Sequence, residues 1–300
     1  DSDRLAPDAP VDDALEAVDI PDRYDAPITL EHLATHTPGF EVRGWGDAVR
    51  DADYVRPLAR SVSTDVPTRV RPPGELPQYT NYAAALTGQL VADVRGTPFD
   101  TAVTDAIFDP LGMTASTFEP APSGLVPADG TAVEDAVSFY SDVAPASGLH
   151  TTATDMARLL RAHLNGGAVE GARILSPAAV AEMHRQWYTP HEAMDGMAFG
   201  LFEERRGDTR LLRHGGSVPK FAAEFAVVPA DGVGLFVAAH GEESSGAKDA
   251  VADALFERFA PVPSNRDRLT PDGEPARADE LPGRYRSVNT TDSATAEKLV

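Results

Sequence analysis

A chain of 300 residues with 42% hydrophobic side chains has enough apolar content for one large globular domain or two small ones. The absence of cysteine excludes disulfides and thiolate metal sites, and no apolar run reaches the ~18 residues that a membrane helix needs. With 47 acidic against 26 basic residues the net charge is −21, dispersed along the chain, which argues against nucleic acid as a partner. Lys220, Lys248 and Lys298 are the only lysines, so arginine carries most of the positive charge. A dispersed anionic shell of this kind suits a protein kept soluble in concentrated salt, where repulsion is screened; an ordinary acidic cytosolic protein is the alternative. The first residue is Asp1 and no signal peptide is visible, so the start is expected to be a truncation or processing product.

In chain order, residues 8–15 (DAPVDDAL) read as a linker or turn. A helical signal begins at Thr29, continues through Glu31, His32 and Leu33, and ends at Pro38-Gly39. Residues 82–95 form a stronger helix, with Asn81 as its expected N-cap, Leu86, Leu90, Val91 and Val94 on one face, and Gly96 at its end. A third helix is expected over 153–164, capped by Thr152 with Asp155 and carrying Met156, Leu159, Leu160 and Leu164 at helical spacing. After residue 195 the period changes. Strands are expected at 198–205, 209–213, 221–228 and 233–239, with turns at Gly207-Asp208 and Asp231-Gly232, followed by a helix from Ala247 to Phe259. Helices in the middle and an antiparallel meander late argue for a layered α/β domain holding a helical insertion.

Three clusters could carry chemistry. Tyr79-Thr80-Asn81 places a phenol and an amide two residues apart at a loop–helix junction. The tyrosine can serve as a base only if cations pull its pKa down from about 10, and the asparagine can orient a substrate amide; packing is the competing reading. His214-Gly215-Gly216-Ser217 follows a strand, and its glycines allow a substrate close to the backbone, where the next amide could donate to an oxyanion. A plain glycine turn between strands is the alternative. His32 and His36 stand four apart with Glu31 beside them, as in a zinc-binding pair. The glutamate precedes the histidines instead of lying between them and no third ligand is obvious, so His36 is expected to fix the turn before Pro38-Gly39 by hydrogen bonding.

Residues 28–40 (ITLEHLATHTPGF), 73–81 (PGELPQYTN), 107–116 (IFDPLGMTAS), 147–166 (SGLHTTATDMARLLRAHLNG) and 214–229 (HGGSVPKFAAEFAVVP) resemble, in order, landmarks of the β-lactamase-related serine hydrolase family. That family includes class C β-lactamases, penicillin-binding proteins, D-alanyl-D-alanine carboxypeptidases, D-aminopeptidases and esterases. The resemblance implies an α/β fold of the β-lactamase/transpeptidase-like type, with a mainly antiparallel sheet flanked by helices and a helical subdomain. The expected division is a hydrolase domain over 1–262 with the helical subdomain at about 45–145, a linker at 263–278, and the start of a C-terminal extension at 279–300. In the family an S-x-x-K serine is acylated, the YxN tyrosine relays the proton, and a K-T-G or H-x-G strand completes the oxyanion side.

By resemblance, Tyr79 is the base, Asn81 orients the substrate, His214 takes the third-motif position, and Gly215, Gly216 and Ser217 form the oxyanion side. A small-molecule or peptide substrate is implied, with no metal or organic cofactor, and an extracytoplasmic location is favoured. The S-x-x-K serine is expected upstream of DAPVDDAL, where Ser2 is followed by Leu5 in place of the lysine. Ser217-Val-Pro-Lys220 and Ser245-Gly-Ala-Lys248 spell the motif out of order and are taken as coincidence. The chain is therefore expected to be a serine hydrolase of ester or amide bonds that is inactive as these 300 residues, or a non-catalytic binding module using the same cleft.

Overall fold

Alternating burial sorts the residues after Phe202 into strands whose two faces both meet helices. A computed structural model describes residues 5–43, 47–64, 66–120, 140–192, 194–218 and 220–260; the expected linker and C-terminal extension lie outside them. In chain order the elements are α1 (Leu30–Ala34), β1 (Ala48–Val49), α2 (Leu58–Thr64), α3 (Asn81–Arg95), α4 (Phe99–Val103), β2 (Tyr140–Ser141) and α5 (Ala144–Ser147). They continue with α6 (Ala153–Leu164), β3 (Ala168–Val169), β4 (Ala172–Arg173), α7 (Pro177–His184), β5 (Phe202–Arg206), β6 (Thr209–Val218), β7 (Phe221–Val228), β8 (Val233–His240) and α8 (Ser244–Phe259).

Strands β5-β6-β7-β8 form one antiparallel sheet in sequence order. Leu211, Ala226, Val228 and Leu235 pack on Ala252 and Phe256 of α8. Their neighbours Leu212 and Val227 point the other way and meet Leu160 of α6, together with Ala198 and Leu201. Gly234 lets α6 approach closely, since a Cβ there would lie 3.1 Å from Leu160 Cδ2. A separate core gathers Val11, Ile28, Leu33, Phe40 and Val62 around Tyr82, Leu86 and Leu90 of α3.

Several expectations change. Of the linker and turn readings of residues 8–15 the turn holds, with a 3-10 turn over Val11–Asp13 and Val11 buried in the core. The strand expected from 198 begins at Phe202, because Ala198 and Leu201 are buried in the bend before it. The strand expected to end at 213 runs on to Val218, pairing with β7 through the whole His214–Ser217 run, so these glycines do not form a turn. The helix expected from Ala247 starts three residues earlier, at Ser244. Thr80, not Asn81, caps α3: its hydroxyl accepts from the Tyr82 amide, which leaves the Asn81 side chain available for other partners.

Leu212 is fully buried between the sheet and α6. Leu212→Ala is expected to cost about 2–5 kcal/mol. Urea unfolding would then show a lower midpoint with an unchanged slope; an unchanged midpoint would mean that this face of the sheet is not packed as described.

Candidate active site

The site is built on a zipper between two loops. Thr29 caps α1 through a capping box with His32, and the helix stops after Ala34, where the backbone of His36 turns left-handed. Gly39 is positive in φ and lies against Arg71, where a Cβ would sit 2.1 Å from the carbonyl oxygen. That close approach lets the two segments bond backbone to backbone. The Val70 amide donates to Gly39, Gly74 to Thr37 and Gln78 to His36. The last of these bonds carries Tyr79 onto the imidazole of His36, with ring centroids 4.4 Å apart.

Four rings from distant parts of the chain meet there. The Tyr79 centroid lies 6.0 Å from that of His214, and His214 lies 5.6 Å from Phe202. Phe202 in turn stacks toward His36 at 6.2 Å. His214 and Phe225 are register partners, so His214 shares the sheet face of Leu212, Val227 and α6. Its neighbour Arg213 points to the opposite face, where it binds Glu204 and Glu224.

Sequence spacing brings Tyr79 and Asn81 to one point, and tertiary structure adds a third group. The Tyr79 hydroxyl donates to Asn81 Oδ1 at 3.2 Å, and Asn81 Nδ2 donates to Asp47 Oδ2 at 2.9 Å. Asp47 is held in turn by its carbonyl, which accepts from the Asp142 amide, and by the β1–β2 pairing beside it. The Asp142 carboxylate binds Arg56.

Electrostatics keep this cluster largely uncharged. Burial lowers the His36 pKa to about 4, with His214 adding to the effect, and burial also holds His214 below the ordinary histidine value. Burial raises the Tyr79 phenol, and the Asp47 carboxylate raises it further. Asp47 is itself raised by burial and by Asp142, against the Asn81 hydrogen bond.

Gly215, Gly216 and Ser217 are exposed. The β5 ladder ends with the Phe202–Arg213 pair, so among the described residues the edge of β6 beyond Arg213 faces no strand. Tyr79, Asn81 and His214 are thus brought together, and Gly215–Ser217 continue from His214 along that open edge.

The lysines of the two late S-x-x-K strings lie elsewhere. Lys220 sits in the β6–β7 turn and pairs with Glu242. Lys248 binds Glu224 and Asp249 on the α8 side of the sheet, opposite His214, and Ser245 is exposed in the first turn of α8. His32 and His36 do not form a helical pair either. His32 Nδ1 bonds Thr29, while His36 lies beyond the helix. His36 Nδ1 has no hydrogen-bond partner among the described residues, so the turn is fixed by the His36 carbonyl and not by its ring. Asp47, Phe202 and the ring of His36 are members of the cluster that sequence spacing did not assign to it. Only His36, through its place in ATHTPG, carried a signal.

The beta-lactamase family profile matches residues 1–258. The D-alanyl-D-alanine-carboxypeptidase/endopeptidase AmpH of Escherichia coli (strain K12) is 23% identical over 238 residues, 73% of this chain and 60% of AmpH. Penicillin-binding protein 4 of Amycolatopsis lactamdurans is 32% identical over 203 residues, 62% of this chain and 51% of that protein. The chain thus spans 60% or less of the length of these two relatives. The crystal structure of a D-stereospecific amidohydrolase from Streptomyces sp. superposes with a TM-score of 0.65 at 21% identity, covering 87% of this chain and 81% of that one. The fold is therefore the β-lactamase/transpeptidase-like α/β fold expected from the sequence.

His36 is neutral in the fold and protonates near 6.5 when unfolded. Its contribution is complete above about pH 6.5 and is lost as pH falls from there toward about 4, by on the order of 3 kcal/mol. The Hε1 resonance of His36 is expected to titrate near 4, with stability falling across the same window. A midpoint near 6.5 would contradict the burial described.

Proposed function

We propose, for a chain that belongs to the beta-lactamase family, a serine hydrolase site acting on ester or amide bonds through an acyl-enzyme. The observation that carries this reading is the convergence of Tyr79, Asn81 and His214 at the start of the open edge of β6. In this reading a serine hydroxyl attacks the substrate carbonyl and its proton passes to the Tyr79 oxygen. The Ser217 amide donates to the oxyanion, and the proton then moves on to the leaving group. Water releases the acyl group by the same path in reverse. Asn81 supplies the amide that orients the substrate, and His214, lowered by burial, acts as a neutral hydrogen-bonding group.

Within the 300 residues no S-x-x-K precedes Tyr79, and in the two that follow it the lysines are paired with carboxylates away from the ring cluster. Tyr79 is also raised in pKa, the opposite of what a base needs. Both points support a site that these residues alone leave short of a nucleophile and a cation. The alternative is a binding module that uses the same surface without turnover.

Intact mass after incubation with a fluorophosphonate or a penicillin in molar salt tests this. We expect no adduct on the 300-residue chain, and a single adduct on a form extended upstream through a serine–lysine pair. An adduct on Ser217 or Ser245 would overturn the assignment, and no adduct on either form would favour the binding module. In an acylating form, Tyr79→Phe is expected to lower kcat by about 10²–10⁴-fold, the range for a lost acid–base group.

A further inference from the structure

Asp47 has no place in the scheme above, yet it is one hydrogen bond from Asn81 and two from the Tyr79 oxygen. An ionised carboxylate has no proton to donate, so it can only accept. The atom that Asn81 turns toward Asp47 must therefore be Nδ2. The amide is planar, so Oδ1 is then directed to the Tyr79 hydroxyl, and Tyr79 must donate its proton there. Loss of that proton would leave two acceptor oxygens facing each other across 3.2 Å with no hydrogen between them. A carboxylate that never touches the phenol thus favours its protonated form through the amide between them, adding to burial, which raises the phenol most.

We propose that Asp47 is a positioning residue that locks the Asn81 amide with its carbonyl toward Tyr79, holding Tyr79 as the phenol until Asp47 is neutralised or the amide rotates. The groups facing this relay agree with that assignment. Asp142, beside Asp47 at the end of β2, has its charge answered by Arg56. His36 and His214, against the Tyr79 ring, are both lowered by burial and supply no cation at neutral pH. Asp47 sits on a braced support, since its carbonyl and the adjoining Ala48–Val49 pair with Tyr140–Asp142. The backbone that carries the carboxylate is therefore held beside Asn81. The catalytic meaning of the relay rests on the reading of Tyr79 as the proton-transfer residue; its existence does not.

Two measurements on the 300-residue chain test it without any turnover. In the unaltered chain the side-chain amide resonances of Asn81 should follow a single acid titration, with a midpoint above the ordinary aspartate value. They should stay flat over the same range in Asp47→Asn. Asn81 resonances indifferent to pH in the unaltered chain would overturn the proposal. With tyrosines labelled at ¹³Cζ and Tyr79 assigned by its loss in Tyr79→Phe, Asp47→Asn should lower the Tyr79 midpoint by about one pH unit, a tenfold gain in phenolate at a given pH. The new amide can donate to Asn81 Oδ1, which frees Nδ2 to turn toward the phenolate. An unchanged Tyr79 midpoint in a variant with unaltered thermal unfolding would also overturn it. A relay that titrates as described in a protein that is never acylated would leave Asp47 in place and remove only the hydrolase reading.

Discussion

Strand β6 outruns its neighbour, and most of the site depends on that difference in length. At Leu212 and Arg213 it is an inner strand, paired with β5 on one side and with β7 on the other. Beyond Arg213, among the described residues, only β7 accompanies it, so backbone groups on its other side turn from ladder bonds to whatever lies in front. Gly215 and Gly216 fall on this free stretch, where the lack of side chains leaves the main chain accessible. His214 stands at the junction of the two regimes, held by the packed part of the sheet and facing the open part.

The alternation of the same strand separates charges. Odd-numbered Arg213 drops to the α8 face, into an array with Glu204, Glu224, Arg206, Asp253 and Lys248. Even-numbered His214 rises to the α6 face among aromatic rings. Both arginines in that array are raised in pKa by their carboxylates despite burial, whereas the histidines of the ring cluster are lowered because burial acts on them without such a partner. The α8 face around Arg213 therefore carries strongly paired ions, whereas the rings around His214 form a nearly neutral cluster linked to the Asp47 carboxylate through Asn81; the Arg210–Glu203 pair lies on the His214 face toward the start of β6. The −21 net charge of the chain does not set the character of this site; local pairing does.

Much of this architecture was legible from local pattern. The alternation in FAAEFAVV and VGLFVAA determined β7 and β8 within a residue, and Thr152 with the spacing of Met156, Leu160 and Leu164 determined α6 at both ends. Tyr79, Asn81 and His214 were singled out from short strings, and tertiary structure brings the three side chains together. Local pattern failed where a distant segment decided the outcome. The glycines at 215 and 216 suggest a turn when read alone, and only the long pairing with β7 keeps them extended. Thr80 and Asn81 are both good caps; Thr80 takes the role, and Asn81 instead donates to the Asp47 carboxylate 34 residues away. His36 is spaced from His32 as if on one helix, but the carbonyls of Thr37 and Gly39 accept from the Gly74 and Val70 amides with the helix already ended. Sequence by itself thus determined the elements, the family resemblance and the two motifs, since each depends on residues close along the chain. The ring cluster, the open edge of β6 and the Asp47–Asn81–Tyr79 relay were decided by tertiary structure, because hydrogen bonds and burial act through space and leave no fixed spacing to read.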